Sequence, residues 1–277
     1  MENLLRGDRR PKGLWAHLLP MIPFALAIIV YLWVAHVRHT ASALENEGVS
    51  REKVTPTATQ LVEGIKTVAV KKDVKTDKVL LWFDTWASVK RFVIAYAFIF
   101  LPILVGLHMG VFPYLESALK GFVTFLGMVP PLALTAIIIV VLGVEETPKI
   151  VLVMVGVFPT VALSTYLFAK DVPHELIESA LSRGASQFEI VYRIVLPVIW
   201  PKVLDSIRLS FMAGIQCLLA GEFMIASQGL GYRIYLMKRT IQMDMIIPYV
   251  LWMTLLIFIA DRLVVLWISK KYGWAQR

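Results

Sequence analysis

The chain of 277 residues has one cysteine, Cys217, set inside an apolar block. No internal disulfide can form, and a metal site built from four cysteines is excluded. No G-x-x-x-x-G-K-[ST] sequence occurs, so the phosphate-cradling loop that a nucleotide-hydrolysing chain would need is missing. The five histidines, His17, His36, His39, His108 and His174, contain no H-E-x-x-H spacing, which removes the usual helical zinc signature. Charge is scarce too. Charged residues make up 17% of the chain against 58% hydrophobic, too few polar groups for a soluble protein of this length to cover its own surface.

What is present is a succession of long apolar blocks. A helix of about 20 apolar residues crosses the ~30 Å hydrocarbon core of a bilayer. Six such blocks can be drawn, at 14–37, 92–109, 122–142, 150–168, 203–226 and 246–268. The first is longer than a signal-peptide core and is followed by further spans, so it is read as a retained helix. Pro102 and the Pro130-Pro131 pair lie within blocks, where membrane helices tolerate proline as a kink or a break into half-helices. The turn-rich stretch 143–149 predicts a tight hairpin between the third and fourth spans. Residues 38–86 are the one long polar segment, with an amphipathic helix expected near 57–70. No internal repeat is visible that would favour an inverted-repeat secondary transporter.

The formal net charge is +8. In a soluble domain that excess would suggest nucleic acid, but membrane proteins collect Lys and Arg on their cytoplasmic side. Six spans place the tail 1–13, the loop 170–202 and the tail 269–277 on one side, and all three are basic. That side is expected to be cytoplasmic, with 38–86 extracytoplasmic and 87–268 as the permeation core. The segment 38–91 opposes this assignment with about ten basic residues, although long loops weigh less in the charge rule.

Between the fourth and fifth spans the chain reads from Asp171 to Pro197 without losing helical apolar spacing. Asp171 is a plausible N-cap, and Leu176, Ile177, Ala180 and Leu181 form one apolar face. Gly184 permits a turn, and Phe188, Val191, Tyr192 and Val195 shape a second helix expected to end at Pro197. Taken alone, such a segment is equally well a solvated connector. Its spacing distinguishes it. Glu178-Ser179-Ala180, then Gly184, then Ile194, Leu196 and Pro197 resemble the EAA loop of permease subunits in binding-protein-dependent ABC importers, with Ser179 in place of the first alanine.

The likeness extends from Trp86 onward and is to the branch that imports nitrate, sulfonates, taurine or bicarbonate. Ser88, Arg91, Pro130 to Leu134, Gly143, Lys149, Arg208, Glu222, Gly229-Leu230-Gly231, Asp261 and Trp274 carry it. Tyr96, the surroundings of Gln216 and the segment 38–86 depart from it. The resemblance implies an all-α membrane protein of about six spans, like the permeases of type I importers. It also implies that Glu178, Ser179, Ala180, Gly184, Ile194, Leu196 and Pro197 couple the chain to ABC ATPase subunits. ATP and Mg would sit on those partners, and this chain would bind no cofactor and be no enzyme. Further implied partners are a second permease copy, a periplasmic or extracellular solute-binding protein and the bilayer of a bacterial inner membrane, with no nucleic acid.

Polar residues inside the spans mark a second constellation, because they are costly there and usually face a cavity or a partner. Gln216 and Glu222 are the candidates for contact with solute. Glu222 is alternatively a structural partner of Arg233 or Arg262. An autonomous secondary transporter or ion channel is the alternative function, and it would require a charge relay through several spans.

Overall fold

The structure, a computed structural model, describes residues 21–44, 56–70 and 79–273. The expected tail 1–13, the start of the first span and Trp274 lie outside the described residues. The described chain forms α1 (Ile22–Leu44), α2 (Ala58–Val70), α3 (Leu80–Ala97), α4 (Phe100–Val111), α5 (Pro113–Met128), α6 (Pro131–Leu142) and α7 (Glu146–Lys170). It continues through α8 (His174–Ser182), α9 (Gln187–Glu189), a π-helical stretch (Ile190–Val195), α10 (Leu196–Leu209), α11 (Phe211–Ile225), α12 (Leu230–Arg239) and α13 (Met243–Lys271).

Among the described residues four helical runs are long and apolar enough to cross a membrane: Leu80–Val111, Glu146–Lys170, Gln187–Met224 and Met243–Lys271. The α5–α6 pair, bent by 102°, is a fifth span if taken as one, and Ile22–Ala35 is a shorter apolar helix. The described parts of the six apolar blocks thus fall on helices. Both predicted breaks occur, and proline causes them. Pro130 is extended (φ −63°, ψ 131°) and Pro131 opens α6, as expected when a proline forces its predecessor out of the helical region and needs no N–H partner in the first turn. Pro102 would press on the carbonyl four residues earlier. That residue is Phe98, where α3 ends.

The core is organised around α7, which packs against α3, α4, α5, α6, α10 and α11. Leu152, Val153, Val157 and Val161 are buried there. Lipid tails are as apolar as these side chains, so close packing rather than escape from water holds such helices together. Gly106 of α4 shows the closeness required, since a Cβ there would meet the Ala162 carbonyl and come within 2.8 Å of the Thr165 Cβ. Large apolar residues elsewhere face outward, including Phe24 and Trp33 on α1 and Leu251, Phe258 and Leu263 on α13. Cys217 is buried in the same core cluster.

The helix expected near 57–70 is α2. It packs its Val68 with Leu81, Leu230 and Tyr249, and Gly64 lies against the backbone of Asp244 at the start of α13. This puts α2 at the end of the bundle away from the loop that follows α7.

Candidate functional site

The loop between α7 and α10 is built as a stiff bracket. Asp171 caps the end of α7 rather than the start of the next helix, which corrects the sequence-based expectation. Pro173 occupies the N-cap position of α8 instead (φ −55°, ψ 130°), because its ring fixes φ and it has no N–H to donate. Buried Val172 anchors the entry. On α8, Ile177 and Ala180 pack on the core cluster, while Glu178 and Ser179 are exposed beside Leu176 and Leu181, themselves 46% and 45% exposed.

The exit from α8 is a Schellman motif. Ala185 N–H donates to the Ala180 carbonyl (3.0 Å) and Gly184 N–H to that of Leu181 (2.9 Å), with Gly184 at φ +83°, the left-handed geometry that favours glycine. A capping box follows at once. Ser186 Oγ accepts from Glu189 N–H (3.3 Å), and Glu189 Oε2 accepts from Ser186 N–H (3.1 Å). The S-x-x-E signature of this box stood in the sequence and was missed there.

The second helix does not end at Pro197, contrary to expectation. Pro197 is exposed in the first turn of α10, and the helical path runs on to Leu209. The preceding π-helical stretch accounts for this, since its wider turn accommodates a residue that lacks an N–H and whose ring crowds the carbonyl four residues back. Ile194 and Leu196 pack partly buried on the core. Tyr192 Oη lies 3.3 Å from His108 Nε2, joining this stretch to α4.

At the opposite end of α7 the structure gathers a polar network, buried except at Glu146, whose side chain is 54% exposed. Arg91 reaches Glu222 through Nη1 (2.8 Å) and holds Glu146 through Nε and Nη2 (2.5 and 2.9 Å). Lys149 donates to Glu146 (2.8 Å), and Arg233 Nε to Asp84 (2.8 Å). Three acids therefore face three bases. The first N–H groups of α12, orphaned by helix geometry, are met in turn: Gly229 by Asp84 (3.0 Å), Leu230 by Ser88 Oγ (2.8 Å) and Gly231 by Glu222 Oε2 (2.7 Å). Carboxylates at a helix N-terminus also complement its dipole.

Residues 92–271 match the family described as binding-protein-dependent transport system inner membrane component. The chain belongs to this family. The permease is 29% identical over 182 residues to the taurine transport system permease protein TauC of Escherichia coli K12, covering 65% of this chain and 66% of that protein. It is 32% identical over 175 residues to the ergothioneine transport permease/ergothioneine binding protein EgtU of Helicobacter pylori G27, covering 60% of this chain and 30% of that one. The aligned part is thus less than two thirds of either relative. Its fold matches a chain of the MetNI methionine ABC transporter in an inward facing conformation, with a TM-score of 0.57, 21% identity and coverage of 67% and 94%.

Within the permease the two solute-contact candidates separate. Glu222 is 0% exposed, with both oxygens bonded to protein groups. Its partner is Arg91, a pairing not foreseen from sequence, while Arg233 takes Asp84 and Arg262 lies over the Phe258 ring. Gln216 is exposed on α11 and forms no hydrogen bond with another described residue. Asp261 pairs with Arg208 at 2.9 Å. A cavity of about 600 Å³ opens between α3, α11 and α13, walled by Phe92, Phe211, Ile215 and Met253 among others. Its polar groups, Ser88 and Tyr96, are bonded to Glu222 and Ser210, and neither a charged side chain nor Gln216 lines it.

Proposed function

We propose that this permease subunit forms the solute pathway of an ATP-driven importer and is coupled through α8 to separate ATPase subunits, which carry ATP and Mg. One observation supports this above the others. Glu178 stands exposed on a short helix that is locked at its exit by the Schellman motif at Gly184 and at the next helix start by the Ser186–Glu189 capping box. A push on α8 then moves α10 with it, because the intervening residues have little freedom to absorb the displacement. Glu178, Ser179 and Leu181 form the docking face, Gly184 the turn, and Ile194, Leu196 and Pro197 the root in the bundle.

A second copy of the chain completes the pathway and provides the second docking face, and an extracytoplasmic solute-binding protein delivers the solute. The membrane is a bacterial inner membrane, with both tails and α8 cytoplasmic and α2 outside. Gln216, exposed on α11, faces the pathway, while Glu222 holds the extracytoplasmic end together. The solute is a small anion or small organic molecule, for which the likeness to TauC favours a sulfonate such as taurine. The test is association of the ATPase subunit and stimulation of its ATP hydrolysis by loaded binding protein. Glu178→Lys is expected to abolish both while the permease still inserts and melts normally. Wild-type coupling in that variant would leave α8 as a passive connector.

A further inference from the structure

A second charged cluster lies at the loop-bearing end of α7, and the coupling mechanism does not use it. Lys120 of α5 and Lys170 in the last turn of α7 both reach Glu116, with Nζ–Oε distances of 3.5 and 2.6 Å. The Tyr166 hydroxyl donates to Glu116 Oε1 at 2.5 Å and accepts from Lys120 at 3.1 Å. Both ammonium groups stand near the Tyr166 ring, 5.1 and 5.4 Å from its centroid. Tyr166 is buried, so it fixes the position of the two cations.

The charges here do not balance. Two ammonium groups share one carboxylate, leaving a net charge of +1, whereas the network around Arg91 pairs three with three. Asp171, next in sequence to Lys170, forms no ion pair with either lysine. The arrangement is also directional. Glu116 is the inner member, 20% exposed, and the lysines are the outer ones at 51% and 45%. Each ammonium brings three donors, more than the Glu116 carboxylate and the Tyr166 hydroxyl engage, so N–H groups remain pointing outward.

We propose that Lys120 and Lys170 together hold one singly charged oxyanion, of the sulfonate or phosphodiester type, on the outer side of Glu116. A single negative charge neutralises the cluster, and an anion with several oxygens accepts from both ammonium groups at once. Two sources carry this chemistry: the headgroup of an anionic lipid at the bilayer edge, and a soluble sulfonate on its way through the permease. The second source rests on the transport reading above, but the site does not.

The experiment follows amine acylation of the full-length permease in vesicles, with Lys120 and Lys170 read by peptide mass spectrometry. Exposed Lys238 on α12 is the internal reference. In pure phosphatidylcholine vesicles, methanesulfonate is compared with sodium chloride at equal ionic strength. In parallel, vesicles with phosphatidylglycerol are compared with those without. Acylation of both lysines relative to Lys238 should slow about tenfold when the protecting anion is present at about ten times its dissociation constant. Protection by methanesulfonate alone identifies a soluble anion, and protection by phosphatidylglycerol identifies a lipid headgroup. Protection by neither overturns the proposal. Glu116→Gln, which raises the net charge to +2, should deepen protection at an unchanged melting temperature. Weaker protection in a variant that melts normally would overturn the charge argument.

Discussion

Arg91 and Glu222 are 131 residues apart in the chain, and their side chains meet at 2.8 Å with 2% and 0% of their surface exposed. The pair joins α3 to α11. Arg91 also holds Glu146 at the start of α7 and the Gln228 carbonyl just before α12, so one guanidinium ties four parts of the bundle.

Removing Glu222 would leave buried Arg91 with the half-exposed Glu146 as its remaining carboxylate and would strip Ser88 Oγ and Gly231 N–H of their acceptor. The loss is up to about 3–5 kcal/mol, as for other broken buried pairs. Glu222→Ala should therefore lower the melting temperature of the solubilised permease sharply, and Glu222→Gln, which keeps shape and one acceptor, should do so less. Transport by the Gln variant separates a structural role from solute contact. A changed KM at unchanged stability would return Glu222 to the pathway.

Gly184 adopts φ +83°, with open space around the position of a Cβ. Substitution there is limited by backbone strain and not by packing. Gly184→Val should cost about 1–3 kcal/mol and weaken ATPase association, whereas Gly184→Asn, which tolerates this region, should stay close to wild type in pull-down and stimulated hydrolysis. Equal loss in both variants would show that the turn geometry is not what matters.

Ser186→Ala removes the side-chain acceptor that starts the helical path into α10. Loss of an N-cap costs about 1 kcal/mol, so amide exchange over residues 187–190 should quicken about fivefold, with little change near Leu152. Unchanged exchange would show that the cap does not hold this helix start.

Gly106 is a point of contact between α4 and α7. Gly106→Val should prevent recovery of folded permease, since no flexible side chain is available to yield to the new atoms. Gly121→Ala, which meets nothing within 4 Å, should fold normally and serves as the comparison.

The proposed sidedness is tested by impermeant thiol labelling in a Cys217→Ala background. Lys66→Cys on α2 should label from outside intact cells whose outer barrier is open, and Ser186→Cys should label only after lysis. The reverse pattern would invert the topology.

Much of the fold was legible in the sequence, for reasons that particular residues make plain. Pro130 and Pro131 break a helix wherever they stand, because the missing N–H and the blocked predecessor conformation are local. The spacing from Glu178 through Gly184 to Pro197 was legible as a loop motif, and its turn is where the glycine is. Local reading failed at Asp171 and at Pro197. Asp171 has the right chemistry to begin a helix, but α7 extends far enough to use it as an end. Pro197 ordinarily stops a helix, and the π-helical stretch before it lets the helix continue.

By itself the sequence determined the class of the molecule: apolar blocks of membrane length, breaks at proline, and a loop whose spacing resembles that of importer permeases, with no G-x-x-x-x-G-K-[ST] run. Each of these depends on residues near one another in the chain or on composition, so no folded contact is needed to see them. Only the tertiary structure decided which charges meet. Asp84 lies 149 residues from Arg233, Ser88 lies 134 from Glu222, and Glu116 lies 50 from Tyr166. Their pairing depends on how α7 sets its neighbours side by side, and helix packing selects among Arg91, Arg233 and Arg262 in a way that residue type cannot.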